Sequence, residues 1–127
     1  MSRRKAFPNI MPRFAILTHD HPTLHWDFLL EQGDSCRTWR LLKVPDGTGD
    51  IPAEEIAEHR LMYLDYEGPV SGNRGTVAQW DVGTFEWLDT CDDLCKVRLH
   101  GLWFTGLARL IHAHGSEIAW RFETRDR

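Results

Sequence analysis

Hydrophobic positions along this chain recur mainly at every second residue, the period of a strand rather than of a helix. Residues 14–19 read as a first strand after a break at Pro12. Residues 25–30 read as a second, with Trp26, Phe28 and Leu30 on one face and His25, Asp27 and Leu29 on the other. Asp20, Pro22 and Thr23 between them suit the loop of a hairpin. A turn at Gln32-Gly33-Asp34 leads to a third strand over 36–44. After the Gly- and Asp-rich stretch 45–50, residues 51–60 form the one helix-like segment, with Asp50 as its cap and Pro52 in its first turn. Short strands return at 75–80, 83–88, 94–100, 102–110 and 118–124, separated by bends at glycine and asparagine. The pattern predicts a mainly β fold, an antiparallel barrel or sandwich with one short helical insert. Residues 1–13 are expected to be a flexible N-terminal arm and 14–124 a single domain.

Composition narrows the function classes. With 127 residues, 42% hydrophobic and 27% charged, the chain can build one core, which excludes disorder as its main state. Fifteen Lys and Arg against 19 Asp and Glu give a net charge of −4, which argues against holding nucleic acid or an anionic membrane by bulk charge. The basic start Ser2-Arg3-Arg4-Lys5 is followed by apolar residues broken at Pro8 and Pro12. No run reaches the roughly 7–15 apolar residues of a secretory signal or the roughly 20 of a membrane span. Cys36, Cys91 and Cys95 are odd in number and poorly spaced for disulfides or zinc, so reduced thiols in a cytoplasmic protein are expected. Six tryptophans and seven histidines are many for this length and need a purpose.

The histidines concentrate in Thr18-His19-Asp20-His21-Pro22-Thr23-Leu24-His25-Trp26-Asp27. Residues two apart on a strand share a face, so His25 and Asp27 point together, away from Trp26. An imidazole beside a carboxylate can hold a divalent metal, with His19 as the natural third ligand and His21 as a spare. Spacing alone leaves two other readings open: a solvated His–Asp pair on a surface strand, and the facial triad of a non-haem iron oxygenase.

His19-x5-His25-x-Asp27 followed by Leu30-Glu31 resembles the opening motif of the 3′-phosphoesterase module of bacterial DNA ligase D. The likeness continues through Trp39-x-x-x-Lys43, His59-x-x-x-Tyr63-x-Asp65-Tyr66-Glu67-Gly68 and Gly75-Thr76-Val77-x-x-Trp80-Asp81-x-Gly83-Thr84-Phe85. Leu99-His100-Gly101 with Gly106 follows in the family's order, so the resemblance runs from about Phe14 to Phe122. It implies a small closed β-barrel that uses a divalent metal, manganese by preference, to trim 3′ ends of DNA or of RNA-terminated primer strands. Removing a 3′-ribonucleoside and then a 3′-phosphate leaves a hydroxyl for a ligase, and here a DNA ligase or polymerase would act in trans. The resemblance assigns the metal to His19, His25 and Asp27 and phosphate contact to His59 and Tyr63, with Lys43 close by.

Those roles suit phosphoester chemistry. A metal and hydrogen-bond donors stabilise the charge that develops on the leaving oxygen, and a histidine can protonate it. A phenol at Tyr63 and an ammonium at Lys43 would orient phosphoryl oxygens. Plainer readings exist for several positions: Tyr63 as a packing ring, Lys43 as a strand-end lysine, Glu67 as a turn anchor, and His112 and His114 as an exposed strand end. Three departures stand out. Leu29 occupies the place of the family's phosphate-gripping arginine, Ile51 that of a second arginine, and Ala57 that of a glutamate. Arg37, Arg40 and Arg60 are the arginines available to substitute, and sequence does not choose among them. Leu29 also keeps a second reading alive, a non-catalytic module that binds nucleic-acid ends on the same fold.

Overall fold

The computed structural model describes residues 11–46, 49–91, 94–112 and 115–124. Its strands are β1 (Arg13–His19), β2 (His25–Gln32), β3 (Ser35–Leu41), β4 (Gly49–Arg60), β5 (Gly68–Pro69), β6 (Thr76–Cys91), β7 (Leu94–Gly101), β8 (Thr105–His112) and β9 (Ile118–Thr124). All pairings are antiparallel, in the order β1-β2-β3-β4-β9-β8-β7-β6, and β1 pairs with β6 to close an eight-stranded barrel. The short β5 adds to the side of β6. Closure leaves none of the eight strands with an unpaired edge.

The strand period sorts the side chains into two layers. Phe14, Ile16, Phe28, Leu30, Trp39, Leu41, Phe85, Val97, Leu99, Trp120 and Phe122 fill the barrel. Trp39 and Trp120 are fully buried and meet edge to face at 5.0 Å, and Phe28 meets Trp120 in the same way. The opposite face of β1, β2 and β6 is also covered. Ala15, Leu17, Leu29, Cys36 and Val77 pack against Leu64 of a 3₁₀ turn (Leu61–Leu64) and against Tyr63 and Tyr66. This outer layer walls one side of the functional cleft.

The fold is the expected mainly β barrel, with its one helical turn displaced. Residues 51–60 are not a helix but most of β4. Ile51 and Ala53 point inward against Trp120 and Ile118 of β9, while Pro52 and Glu54 face out, so the alternation is that of a strand. Glu55 and Glu58 bond across to Arg37 and Ser35 of β3, and these pairings outweigh local helix propensity. The separate strands expected at 75–80 and 83–88 are one 16-residue strand, β6. Asp81-Val82-Gly83 marks no turn, because a bulge at Trp80 between the Leu17–Gln79 and Ile16–Asp81 pairs absorbs the irregularity. β3 ends at Leu41 rather than at Val44, and β8 starts at Thr105 rather than at Leu102. Residues 1–10 of the expected arm, the Gly47-Thr48 turn and His114 lie outside the described residues. Among the described residues no helix is long and apolar enough to cross a membrane.

Candidate metal centre

β1 ends at His19 and β2 begins at His25, and the two are register partners, as are Leu17 and Asp27. Alternation puts Ala15, Leu17 and His19 of β1, and His25, Asp27 and Leu29 of β2, on the outer face. Trp26 packs against the barrel interior from the other face. One ligand atom each from His19, His25 and Asp27 lies within 4.8 Å of the others. His25 and Asp27 are 5% and 1% exposed, so the solvated surface pair is excluded.

The hydrogen bonds fix what each ring offers. A carbonyl can only accept, so the nitrogen facing it must carry the proton. Nδ1 of His25 donates to the Thr23 carbonyl at 2.9 Å, Nε2 of His19 to the Arg74 carbonyl at 2.8 Å, and Nδ1 of His59 to the Ala57 carbonyl at 3.2 Å. Each ring then has one nitrogen left to offer, a lone pair whenever the ring is neutral, and all three face Asp27. His25 Nε2 is 3.2 Å from Oδ1, and His19 Nδ1 and His59 Nε2 are 3.5 and 3.8 Å from Oδ2. His25 Nε2 and Asp27 Oδ1, 3.2 Å apart, are both buried without a hydrogen-bond partner. Acceptors gathered around a buried carboxylate are costly unless a cation joins them. Two imidazoles and a carboxylate, with rings steered by backbone carbonyls, form a donor set that fits a divalent transition metal and leaves positions open.

His59 reaches this face through a bulge. Cys36 pairs with His59 but Thr38 with Ile56, so β4 carries one extra residue between them. Without it His59 would continue the inward row of Ile51 and Ala53; with it the ring turns out to the cleft. Tyr63, on the 3₁₀ turn, packs edge-on between His59 and Tyr66, each 5.6 Å away. The cleft has a volume of about 450 Å³ and is lined by His19, Asp27, Arg40, His59, Tyr63 and Arg74, among others. His21 lines it too, exposed and outside the ligand cluster.

Lys43 is not brought to the cleft. It stands two residues past the end of β3, exposed, in a separate depression with Asp50 and Glu54. Glu67 is a turn anchor: its Oε2 accepts the Gln79 backbone N–H at 2.8 Å. Sequence reasoning missed Arg74, whose carbonyl orients His19. The only sign was Gly75, which sits at φ +80°, where an added methyl group would collide with Asp20 and His21. Asp20 Oδ1 in turn accepts the Thr76 N–H at 2.8 Å, locking this loop under the centre. Cys36 and Cys95 are free, burial pushes both thiols up to about 11, and neither belongs to the ligand cluster; the Cys91 side chain is outside the described set.

A second cavity of about 450 Å³ opens at the end of the barrel among Trp80, Trp103, Phe104 and Phe122. Of the two acids lining it, Asp46 is exposed and Asp81 is engaged by backbone donors. Oδ1 accepts the backbone N–H groups of Val82, Leu102 and Trp103, and Oδ2 that of Phe104, at 2.8–3.0 Å.

A closed antiparallel barrel with a His-His-Asp centre on its outer face defines a class, and the chain belongs to the DNA Ligase D 3′-phosphoesterase domain family, whose model matches residues 17–112. Among curated proteins it is similar to the multifunctional non-homologous end joining protein LigD of Pseudomonas aeruginosa, 33% identical over 82 residues. That match covers 61% of this chain and only 10% of the relative, so the chain corresponds to a small part of that protein.

Proposed function

We propose that this chain is a divalent-metal-dependent phosphoesterase that removes 3′-phosphates and 3′-ribonucleosides from DNA or RNA-terminated primer strands. The observation that carries the reading is the buried Asp27 carboxylate facing three imidazole nitrogens whose other N–H groups are held by carbonyls. His19, His25 and Asp27 hold the metal, with Mn²⁺ the preferred ion. A bound divalent cation supplies Lewis-acid stabilisation of charge on a phosphoryl oxygen. His59, carrying a proton at Nε2 in this step, keeps its Nδ1–H on the Ala57 carbonyl and gives the Nε2 proton to the leaving oxygen. That is the 3′ oxygen for a terminal phosphate and the 5′ oxygen for a terminal ribonucleoside, while a water forms the new bond to phosphorus and loses its proton to solvent. Tyr63, its ring held between His59 and Tyr66, donates its hydroxyl to a non-bridging oxygen. Cleaned 3′-hydroxyl ends would pass to a DNA ligase or polymerase in trans, and two free buried thiols support action in the cytoplasm.

The test is a primer–template carrying either a 3′-phosphate or one 3′-ribonucleotide, incubated with the folded chain and Mn²⁺. The expected product is a 3′-hydroxyl end. No product from either substrate with Mn²⁺ in excess contradicts the reading and leaves the non-catalytic end-binding module, for which Leu29 is the supporting feature.

A further inference from the structure

Three arginines line the cleft, and their surroundings separate them. Arg74 is committed to its own loop: Nε donates to the Ser71 carbonyl at 2.7 Å and Nη2 to Ser71 Oγ at 3.3 Å. Arg60 is exposed at the end of β4, opposite Ser35. Arg37 is not in the cleft; it bonds Glu55 at 2.7 Å and lies 4.8 Å over the Trp39 ring. Arg40 differs from all of these. It is the register partner of Asp27 on the neighbouring strand, it is partly buried, and its Nε is buried with no hydrogen-bond partner. Among the described residues it makes no ion pair, although Glu54 of β4 is its other register neighbour.

A guanidinium is always charged, and a desolvated N–H without an acceptor is costly. The unpartnered Arg40 guanidinium calls for an anion. Its planar fork matches two oxygens of one phosphate, which a single backbone carbonyl does not. Leu29 is fully buried in the outer layer among Ala15, Leu17 and Cys36 and offers no donor. Resting on the reading above, we propose that Arg40 is the residue that grips the phosphate in this cleft, and that its ligand is a terminal phosphate monoester. Three arginines and a divalent cation outweigh Asp27 and Glu58, so the cleft is net positive, and a terminal phosphate dianion gains more there than a singly charged internal diester.

The test uses the full chain loaded with Mn²⁺ and inorganic phosphate as the calorimetric ligand. Arg40→Gln is expected to weaken phosphate binding roughly 10- to 100-fold while Mn²⁺ affinity stays at the wild-type value. Arg40→Lys, which keeps the charge and loses the fork, should fall between the two. Wild-type phosphate affinity in Arg40→Gln, no phosphate binding by the wild type, or a parallel loss of Mn²⁺ affinity overturns the assignment. Should Arg40→Gln fail to fold, Arg40→Lys decides: a several-fold loss supports the role and wild-type affinity overturns it. An oligonucleotide ending in a 3′-phosphate should displace phosphate at least tenfold better than the same strand with a 3′-hydroxyl, and equal competition overturns the monoester. Phosphate bound through Arg40 without any turnover contradicts the hydrolase and leaves this role standing. Turnover that is indifferent to Arg40→Gln does the reverse.

Discussion

Asp27 is the residue on which the site turns. Its carboxylate is 1% exposed, faces three imidazole nitrogens, and has one oxygen with no hydrogen-bond partner. In the metal-free protein this arrangement works against folding, because a buried charge among acceptors loses its hydration without recovering it. Asp27→Asn removes the charge, keeps the shape and adds two donors that the His lone pairs can accept. The metal-free variant should therefore be more stable than the wild type by about 1–3 kcal/mol in urea unfolding. Added Mn²⁺ should stabilise the wild type and leave the variant unchanged. A variant less stable than the metal-free wild type would show that Asp27 is a structural acid already satisfied by its neighbours.

At the scale of elements, short irregular pieces set the geometry. The extra residue in β4 turns His59 to the cleft, and the loop 101–104 is held by Asp81. Gly101 leaves room for that carboxylate, where a methyl group would collide with it. Four backbone N–H groups on one carboxylate are charge-assisted bonds of roughly 1.5–3 kcal/mol each when removed singly. Asp81→Ala should cost at least about 3 kcal/mol and alter the fluorescence of Trp103 and Trp80, with Mn²⁺ affinity retained at temperatures where the barrel is folded. Loss of less than 1 kcal/mol would show that the loop holds itself.

The same irregularities mark what the sequence could and could not convey. The period-two runs at 14–19, 25–30 and 118–124 were legible because each buries one face in the barrel. His25 and Asp27 were readable as neighbours on one face, since that follows from the pleat alone. Residues 51–60 misled because Asp50, Pro52 and paired glutamates mimic a helix start, while the Arg37–Glu55 and Ser35–Glu58 bonds that make it a strand come from β3. Arg40 could be named but not chosen, because its place beside Asp27 depends on the β2–β3 register. Lys43 was misplaced for the related reason that β3 stops two residues short of it.

For the whole molecule, the histidines and tryptophans that opened the question divide by layer. Trp39 and Trp120 fill the barrel, Trp26 supports the metal strand from within, and His19, His25 and His59 surround Asp27 on the outside. The net charge of −4 fits a protein that meets one terminal phosphate through a local positive centre rather than a length of duplex. The barrel core buries Cys95 and the outer layer buries Cys36, which pushes both thiols up to about 11 in the folded state, whereas an unfolded thiol ionises at about 8.5. Between these values the unfolded chain releases protons that the fold retains, so stability should fall as pH rises from about 8.5 through 11. Urea midpoints at pH 8, 9.5 and 10.5 check this. The decline should shrink in a Cys36→Ala, Cys95→Ala double variant, and an equal decline would place its cause elsewhere. The central claim is that the Asp27 centre binds a divalent metal and thereby hydrolyses a terminal phosphate. Its most direct test is release of phosphate from a 3′-phosphorylated oligonucleotide as Mn²⁺ is titrated, beside Mn²⁺ binding, in the wild type and in Asp27→Asn. Release that rises with the occupancy of one site and vanishes with it in Asp27→Asn is the predicted result; a folded, Mn²⁺-saturated wild type that releases none, or an Asp27→Asn variant that releases phosphate as fast, would contradict it.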